Sequence, residues 1–525
     1  MYDGERYFYN IQTEEDIERC QSLAQDRDFI CFIRLTVNNT YRFSPWNSNQ
    51  SRLIYILGEK FITVKQRLHA YNLFHNSIMK GSCLWLNIYY QRNIDYLSGK
   101  TDLLPTSQHL KLIDFYRGQV DFVLNLLSSK SDLSHKRIIR SLAADKSILS
   151  SARQRRKVLI TGWYGTETAG DKAILLEIIN YYNNKYNGKI DFGITSINEG
   201  LSLLTNMELE LDAEIVVLNS ISSATITDFD SVVFGGGPLM DSSQLKYIAP
   251  LFEWANRTKR DAVIFGCGYG PVKTPRGQEF INVILANSNK GFFRDELSLT
   301  NAKKNGWTAG DFFACDPALK YVMDYKTKRV NDVNTDKICY AMLRKQTGEY
   351  SNRPKEESDG LNSVLIGLFD YLYRQHSLAT SLIPMHVFWY GNDDREYFQE
   401  LRKATAEPQL INFSNEPILL DEILDTLAVA KLGLPMRFHA HVFLLGLGKP
   451  FLSLNYTGSG GKIDELLKRF DLSQTSISLG EVNGEKLVKT LEYVLNNTDE
   501  ITARMLTGVQ SDLVKLESVY DMIDL

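Results

Sequence analysis

From Lys157 onward the chain repeats one texture: a short run apolar on both faces, a polar or glycine-bearing break, then an amphipathic stretch. The runs are KVLITGWYG, KIDFGITSI, EIVVLNS, DSVVFGGG, DAVIFGCGYG and GFFRD, with DKAILLEIINYYNNKY and ELSLTNAKKNG among the helical segments between them. A strand apolar on both faces must be covered on both, and successive strands joined by helices pair in parallel. This series closes near ACDPALKYVMDY. A second opens at KICYAMLRK and runs through SLIPMHVFWYG, QLINF, LLDEILDTLAVA and GLPMRFHAHVFLLGLGKPFLSLNY to helices that reach Leu525. The expected fold class is therefore α/β, with two Rossmann-like lobes, 157–330 and 331–525, facing a cleft. In such sheets ligands bind outside the carboxyl ends of the strands.

The rest of the 525-residue chain is less regular. Residues 1–127 mix strand-like runs (FICFIRLTV, SRLIYIL, LWLNIYY) with the helix-like HLKLIDFYRGQVDFVLNLL, an extra N-terminal α+β domain whose fold periodicity leaves open. Residues 128–156 are serine-rich and basic and read as a linker. A net charge of -4, from 59 basic and 63 acidic residues, argues against general nucleic-acid binding. No apolar run approaches the roughly 18 residues of a membrane-spanning helix, and the polar, acidic start MYDGERYFYN is unlike a signal peptide. A cytoplasmic protein is expected, with peripheral contact at a membrane left open. Six scattered cysteines without a CxxC pair, and eight histidines without an HExxH pattern, point to buried thiols and to no metal site.

Chemistry-bearing residues gather where strands hand over to helices. In GWYGTETAGDKAIL, Gly162, Gly165 and Gly170 permit a tight turn before a helix start that can receive a phosphate or carboxylate. The stretch is neither GxGxxG nor a P-loop. Asp171 there either caps the helix or faces an acceptor hydroxyl. FGGGPLMD, with Gly236 and Gly237, and FGCGYGP, with Gly268, form two more glycine-lined strand ends. FFRDELSL places Arg294 on the same rim, where a guanidinium offers paired donors to an anion. In the second series Arg344 ends the strand of YAMLRK, and MRFHAH sets Arg437 and His439 at a helix start, suited to anion handling and proton transfer. His441 is assigned to structure.

Taken in order, GWYGTETAGDKAIL, GGGPLMD, GCGYGP, FFRDELS, CDPAL, MLRK, MRFHAHVF and PFLSLNYTGSGGK resemble the polysaccharide pyruvyl transferase family over about 157–480. The resemblance implies a glycosyltransferase-B-like pair of lobes. It also implies transfer of the pyruvyl group of phosphoenolpyruvate to two hydroxyls of a sugar or glycan, as a cyclic ketal with release of phosphate. No cofactor is implied beyond that donor. The family's RD arginine falls on Arg294, its Arg-x-His on Arg437 and His439, its Gly-Asp on Gly170 and Asp171, and its late lysine on Lys462. Thr168 stands where the family usually has Asn, Phe438 where it often has Leu, and Lys172 where it often has Glu.

On this reading His439 is the general acid/base, since histidine alone among these types titrates near neutrality. Arg294 clamps and stabilises developing charge, and Asp171 orients or deprotonates the acceptor. Arg344, Arg437, Lys462 and the loops at Gly165, Gly170, Gly236, Gly237 and Gly268 hold the donor. A nucleotide-sugar-dependent glycosyltransferase and a non-catalytic sugar-binding module are the alternatives. Lipid linkage of the acceptor and homo-oligomerisation stay open.

Overall fold

The computed structural model describes residues 7–11, 31–35, 135–145, 155–329, 337–346, 355–388, 393–414 and 417–523. Two compact units result: Met1–Arg140 with Asn198–Leu211, and Ser141–Ile197 with Asp212–Leu525. In the first unit β1 (Tyr7–Ile11) and β2 (Cys31–Leu35) pair in parallel. Nearly all of the expected 1–127 domain lies outside the described residues. Within the expected linker, residues 135–144 are helical.

The second unit holds both expected lobes. In the first lobe six strands form one parallel sheet: β3 (Arg156–Thr161), β4 (Ile190–Ser196), β5 (Ala213–Val217), β6 (Ser231–Phe234), β7 (Asp261–Cys267) and β8 (Lys290–Phe293). Their spatial order is β5-β4-β3-β6-β7-β8. Every residue of β6 is buried, as the unbroken apolar run SVVF requires of a strand covered on both faces. The order reverses between β3 and β6. That is the topological switch point, where strand ends splay and leave a crevice.

The second lobe repeats the plan in parallel: β9 (Ile338–Met342), β10 (Ala379–Leu382), β11 (Ile411–Asn412) and β12 (Leu432–Pro435), ordered β11-β10-β9-β12. Gly433 exchanges backbone hydrogen bonds with Pro450 and Leu452, which carries the sheet on to the parallel pair β13 (Ser453–Asn455) and β14 (Ser476–Ser478). The switch point here falls between β9 and β12, so Arg344 and Arg437 leave the sheet on either side of it.

Five helices place the lobes. Helix α1 (Ala169–Lys185) follows β3, and α2 (Pro317–Arg329) closes the first lobe. Helix α3 (Phe438–Leu447) follows β12, α4 (Lys462–Arg469) follows β13, and α5 (Thr498–Ile523) ends the described chain. Helix α2 packs against both α1 and α3 and so forms the seam between lobes. Val322 of α2 seats on Gly446 of α3, where any β-carbon would come within 2.7 Å of it. Helix α5 returns to the first lobe: the Tyr520 ring lies 4.5 Å from Tyr181, 5.5 Å from Phe265 and 5.9 Å from Phe292, and its hydroxyl donates to Glu177 at 3.1 Å. Aromatic pairs at such distances add roughly 0.5–1.5 kcal/mol each beyond their burial. The two lobes thus face one cleft in the glycosyltransferase-B-like manner. Cys267, Cys315 and Cys339 are buried free thiols.

Candidate functional site

The carboxyl ends of β3, β6, β7 and β8 form the first lobe's rim. Gly165, Gly236 and Gly237 there take positive φ of 81°, 93° and 86°, a region that side-chain-bearing residues rarely adopt. Gly237 lies against the Trp163 indole and the Asp171 carboxylate. Asp171 does not cap α1. The N-cap position is Thr168, and Asp171 sits buried in the helix's first turn. Burial raises its carboxyl to about 6, a second carboxylate at Asp316 adds to the rise, and His439, Lys462 and Arg437 pull it back.

Gly170 and Gly268 explain themselves through neighbours. A β-carbon on Gly170 would come within 2.0 Å of Cγ and Nδ1 of His439, a residue of the other lobe. One on Gly268 would come within 2.4–2.7 Å of the Arg294 guanidinium. Each missing side chain is therefore the space occupied by a candidate catalytic group. Arg294 is 3% exposed. Its flank rests on the Phe438 ring of the second lobe, with Cζ 4.0 Å from the centroid, a stacking worth about 0.5–2 kcal/mol. Asp295, next to it, is spent on capping the following helix through Ser298 N at 2.6 Å.

Asp316, at the start of α2, joins the two lobes' chemistry. Its Oδ1 accepts from Ala318 N at 3.1 Å, while Oδ2 lies 3.5 Å from both Arg294 Nη1 and His439 Nε2. The His439 contact is an ion-pair distance, too long for a good hydrogen bond, and Nε2 is buried without a hydrogen-bond partner. Burial alone would raise Asp316; His439 and Arg294 outweigh it and hold the carboxyl below its ordinary range.

From the second lobe come Arg344, Arg437, Lys462 and Tyr456. Arg437 is not on helix α3 but is its N-cap, with extended backbone. Its Nε reaches Asp394 Oδ1 and Oδ2 at 3.2 and 2.9 Å, and Nη2 adds a further contact to the same carboxylate. Asp394 also accepts from the amides of Met385 and His386. Arg437 thus holds the lobe's loops together at the cleft edge. Arg344 Cζ lies 5.4 Å above the Tyr456 ring, and Lys462 Nζ is 5.9 Å from that ring and 5.7 Å from Phe438. Desolvation and the nearby Arg294 and Arg344 depress Lys462, against the pull of Tyr456.

The three departures from the family pattern each have a contact. Thr168 Oγ1 meets His386 Nδ1 at 2.7 Å across the cleft, Lys172 forms a buried ion pair with Glu167, and Phe438 carries the Arg294 stack. His441 is structural, as assigned: fully buried, with Nδ1 on Arg437 O and Nε2 on Ser453 Oγ, both at 2.8 Å, and depressed to about 4 by burial.

The contacts above knit Gly170, Asp171, Gly268, Arg294, Arg344, Lys462 and His439 into one cluster. The sequence reading missed Asp316, Asp394 and Tyr456. Two of them lie inside quoted motifs, CDPAL and NYTGSGGK, but a single carboxylate or phenol carries no local mark of the partner it will meet. Among the described residues no group of three or more His, Cys, Asp or Glu is placed to share a metal ion. No described helix is long and apolar enough to cross a membrane.

Among solved structures the chain is similar to HepE from Anabaena in complex with UDP-glucose, at 11% identity over 70% of this chain and 99% of that one, TM-score 0.47. It is also similar to UDP-GlcNAc 2-epimerase from Neisseria meningitidis, at 13% identity over 66% and 94%, TM-score 0.45. The same enzyme from Methanocaldococcus jannaschii matches at 16% identity over 65% and 93%, TM-score 0.44. No curated protein matches by sequence. The model of one family, described as polysaccharide pyruvyl transferase, matches residues 169–458, more than half of the 525 residues. The chain belongs to the polysaccharide pyruvyl transferase family.

Proposed function

We propose that the chain transfers the pyruvyl group of phosphoenolpyruvate onto two hydroxyls of one sugar in a glycan, forming a cyclic ketal and releasing phosphate. The observation that carries this reading is the Arg294–Asp316–His439 cluster: a guanidinium from one lobe and an imidazole from the other share one carboxylate. Arg344 and Lys462 lie at its second-lobe side. Such a site suits a small donor with a carboxylate and a phosphate, both of which need charge-assisted donors.

In the proposed reaction His439 protonates the methylene carbon, which becomes the methyl group and leaves C2 electrophilic. One hydroxyl attacks C2 as Asp171 takes its proton. The C2–O bond to phosphate then breaks and the second hydroxyl closes the ring. Two hydroxyl protons are lost in all: one equals the proton gained by the methyl group, the other departs with phosphate. No metal or further cofactor enters the scheme.

The test is to incubate the protein with phosphoenolpyruvate and a glycan panel. Phosphate release should depend on a suitable acceptor, and product mass should rise by pyruvate less water. Thermal shifts with phosphoenolpyruvate and with nucleotide sugars separate the donors, because the true one stabilises most. Stabilisation by a nucleotide sugar alone would overturn the reading.

A pH prediction arises from Asp171. A base must be ionised to accept a proton, so kcat/KM for the acceptor should fall tenfold per unit below about pH 6, the value to which burial raises this group. Asp171→Asn should lower the rate by about 10²–10⁴-fold and remove that acid limb. An unchanged limb in the variant assigns it to another group.

A further inference from the structure

Tyr456 follows β13 in the loop that leads to Lys462 and α4, and no part of the scheme above uses it. Its surroundings are unusual for a phenol. Arg344 lies over the ring at 5.4 Å and Lys462 at 5.9 Å, with no carboxylate among the groups that act most strongly on it. Lys462 in turn stands near Arg294, and Arg437 also bears on the phenol. The charged groups facing Tyr456 are thus the cations assigned above to the donor's anionic groups.

We propose that Tyr456 is a further catalytic proton carrier of this site, donating its hydroxyl proton to the phosphate as that group leaves. The inference rests on the phosphoenolpyruvate reading, since it needs a phosphate held by Arg344 and Lys462. The balance is complete: as the C2–O bond breaks, its electron pair stays on the phosphate oxygen, and the phenol proton satisfies it. The phenolate takes up the proton lost from the second sugar hydroxyl at ring closure, which restores the phenol. One proton therefore passes from sugar to phosphate through Tyr456.

The same geometry makes the phenol responsive to the ligand. Burial would raise it, but Lys462, Arg344 and Arg437 more than cancel that and bring it down to about 8. A bound phosphate offsets those cations and adds negative charge beside the ring, so the phenol must climb again and take up a proton. It is then in the donor form when the reaction needs it.

Tyrosinate absorbance tests this without turnover. Titration of the full chain should show one tyrosine ionising near pH 8, ahead of the other tyrosines. Inorganic phosphate should push it upward, and Tyr456→Phe should lack it. The same variant should lose about 10²-fold in kcat, while still being stabilised by phosphoenolpyruvate through the remaining cations. Identical titrations of wild type and Tyr456→Phe, or full kcat in the variant, would overturn the proposal even with the donor confirmed. An early tyrosine that answers to inorganic phosphate in a protein that ignores phosphoenolpyruvate would instead leave Tyr456 in place as an anion-linked group and remove the donor reading.

Discussion

Replacing His439 by asparagine is expected to lower kcat by about 10²–10⁴-fold, equivalent to roughly 3–5 kcal/mol of barrier, while the fold survives. The size of the loss follows from the scheme: carbon protonation has to come from a positioned acid, and water in a cleft lined by buried groups is a poor substitute. The survival follows from the structure. His439 Nε2 makes no hydrogen bond, and its contact with Asp316 is 3.5 Å long, so the substitution breaks no strong interaction. A smaller side chain at a partly covered position should cost about 1–2 kcal/mol. Asp316 would keep its cap on Ala318 and its approach to Arg294. The decisive measurement pairs acceptor-dependent phosphate release with a melting curve. A folded variant with wild-type turnover would remove His439 from the chemistry.

Gly170→Ala should be nearly as damaging, and here the ordinary rule points the other way. Gly170 lies in the first turn of α1, where glycine is normally inferior to alanine by about 0.5–1 kcal/mol. That gain is overridden because the new methyl would stand 2.0 Å from two atoms of the His439 ring and 2.6 Å from its Cβ. The neighbour is not the free end of a flexible chain. To make room, either the imidazole leaves Asp316 or α3 moves as a body away from α1. Overpacking of this kind costs about 1–3 kcal/mol, so the net change is destabilising. The rate should fall by at least 10²-fold, since misplacing a catalytic group by about 1 Å is enough for that. A more stable, fully active Gly170→Ala would mean that the lobes do not meet through this contact.

The two substitutions probe different kinds of information. The strand runs from KVLIT to PFLSL, the turns after them and the helix starts are local properties. A short apolar run rich in β-branched residues and bounded by turn residues fits an interior strand, and a glycine directly after it fits a break. The expectation that Arg294, Arg344, Arg437, His439 and Asp171 lie at strand or helix ends needed nothing more, because every parallel strand sends its carboxyl end to the same rim. This is why so much of the cleft was legible in advance, and why eight short motifs in order carried the family.

Pairing across the chain was another matter. The guanidinium of Arg437 lies on Asp394, 43 residues earlier, and nothing local to MRFHAH announces that partner. Asp171 suited a helix cap equally well until the helix was seen to begin one turn's breadth earlier, behind Thr168. Asp316 and Tyr456 gained meaning only from the groups that reach them from elsewhere.

The order of residues by itself thus determined two parallel sheets, their glycine-lined rims and the inventory of charged and titratable groups along them, because burial periodicity and turn chemistry act over a few residues. Only the packing of α2 between α1 and α3 decided that the two rims close on one another. Close contact between distant segments depends on how whole surfaces fit, and it is that fit which brings His439 onto Gly170, Arg294 onto Phe438, and Tyr456 into a ring of cations.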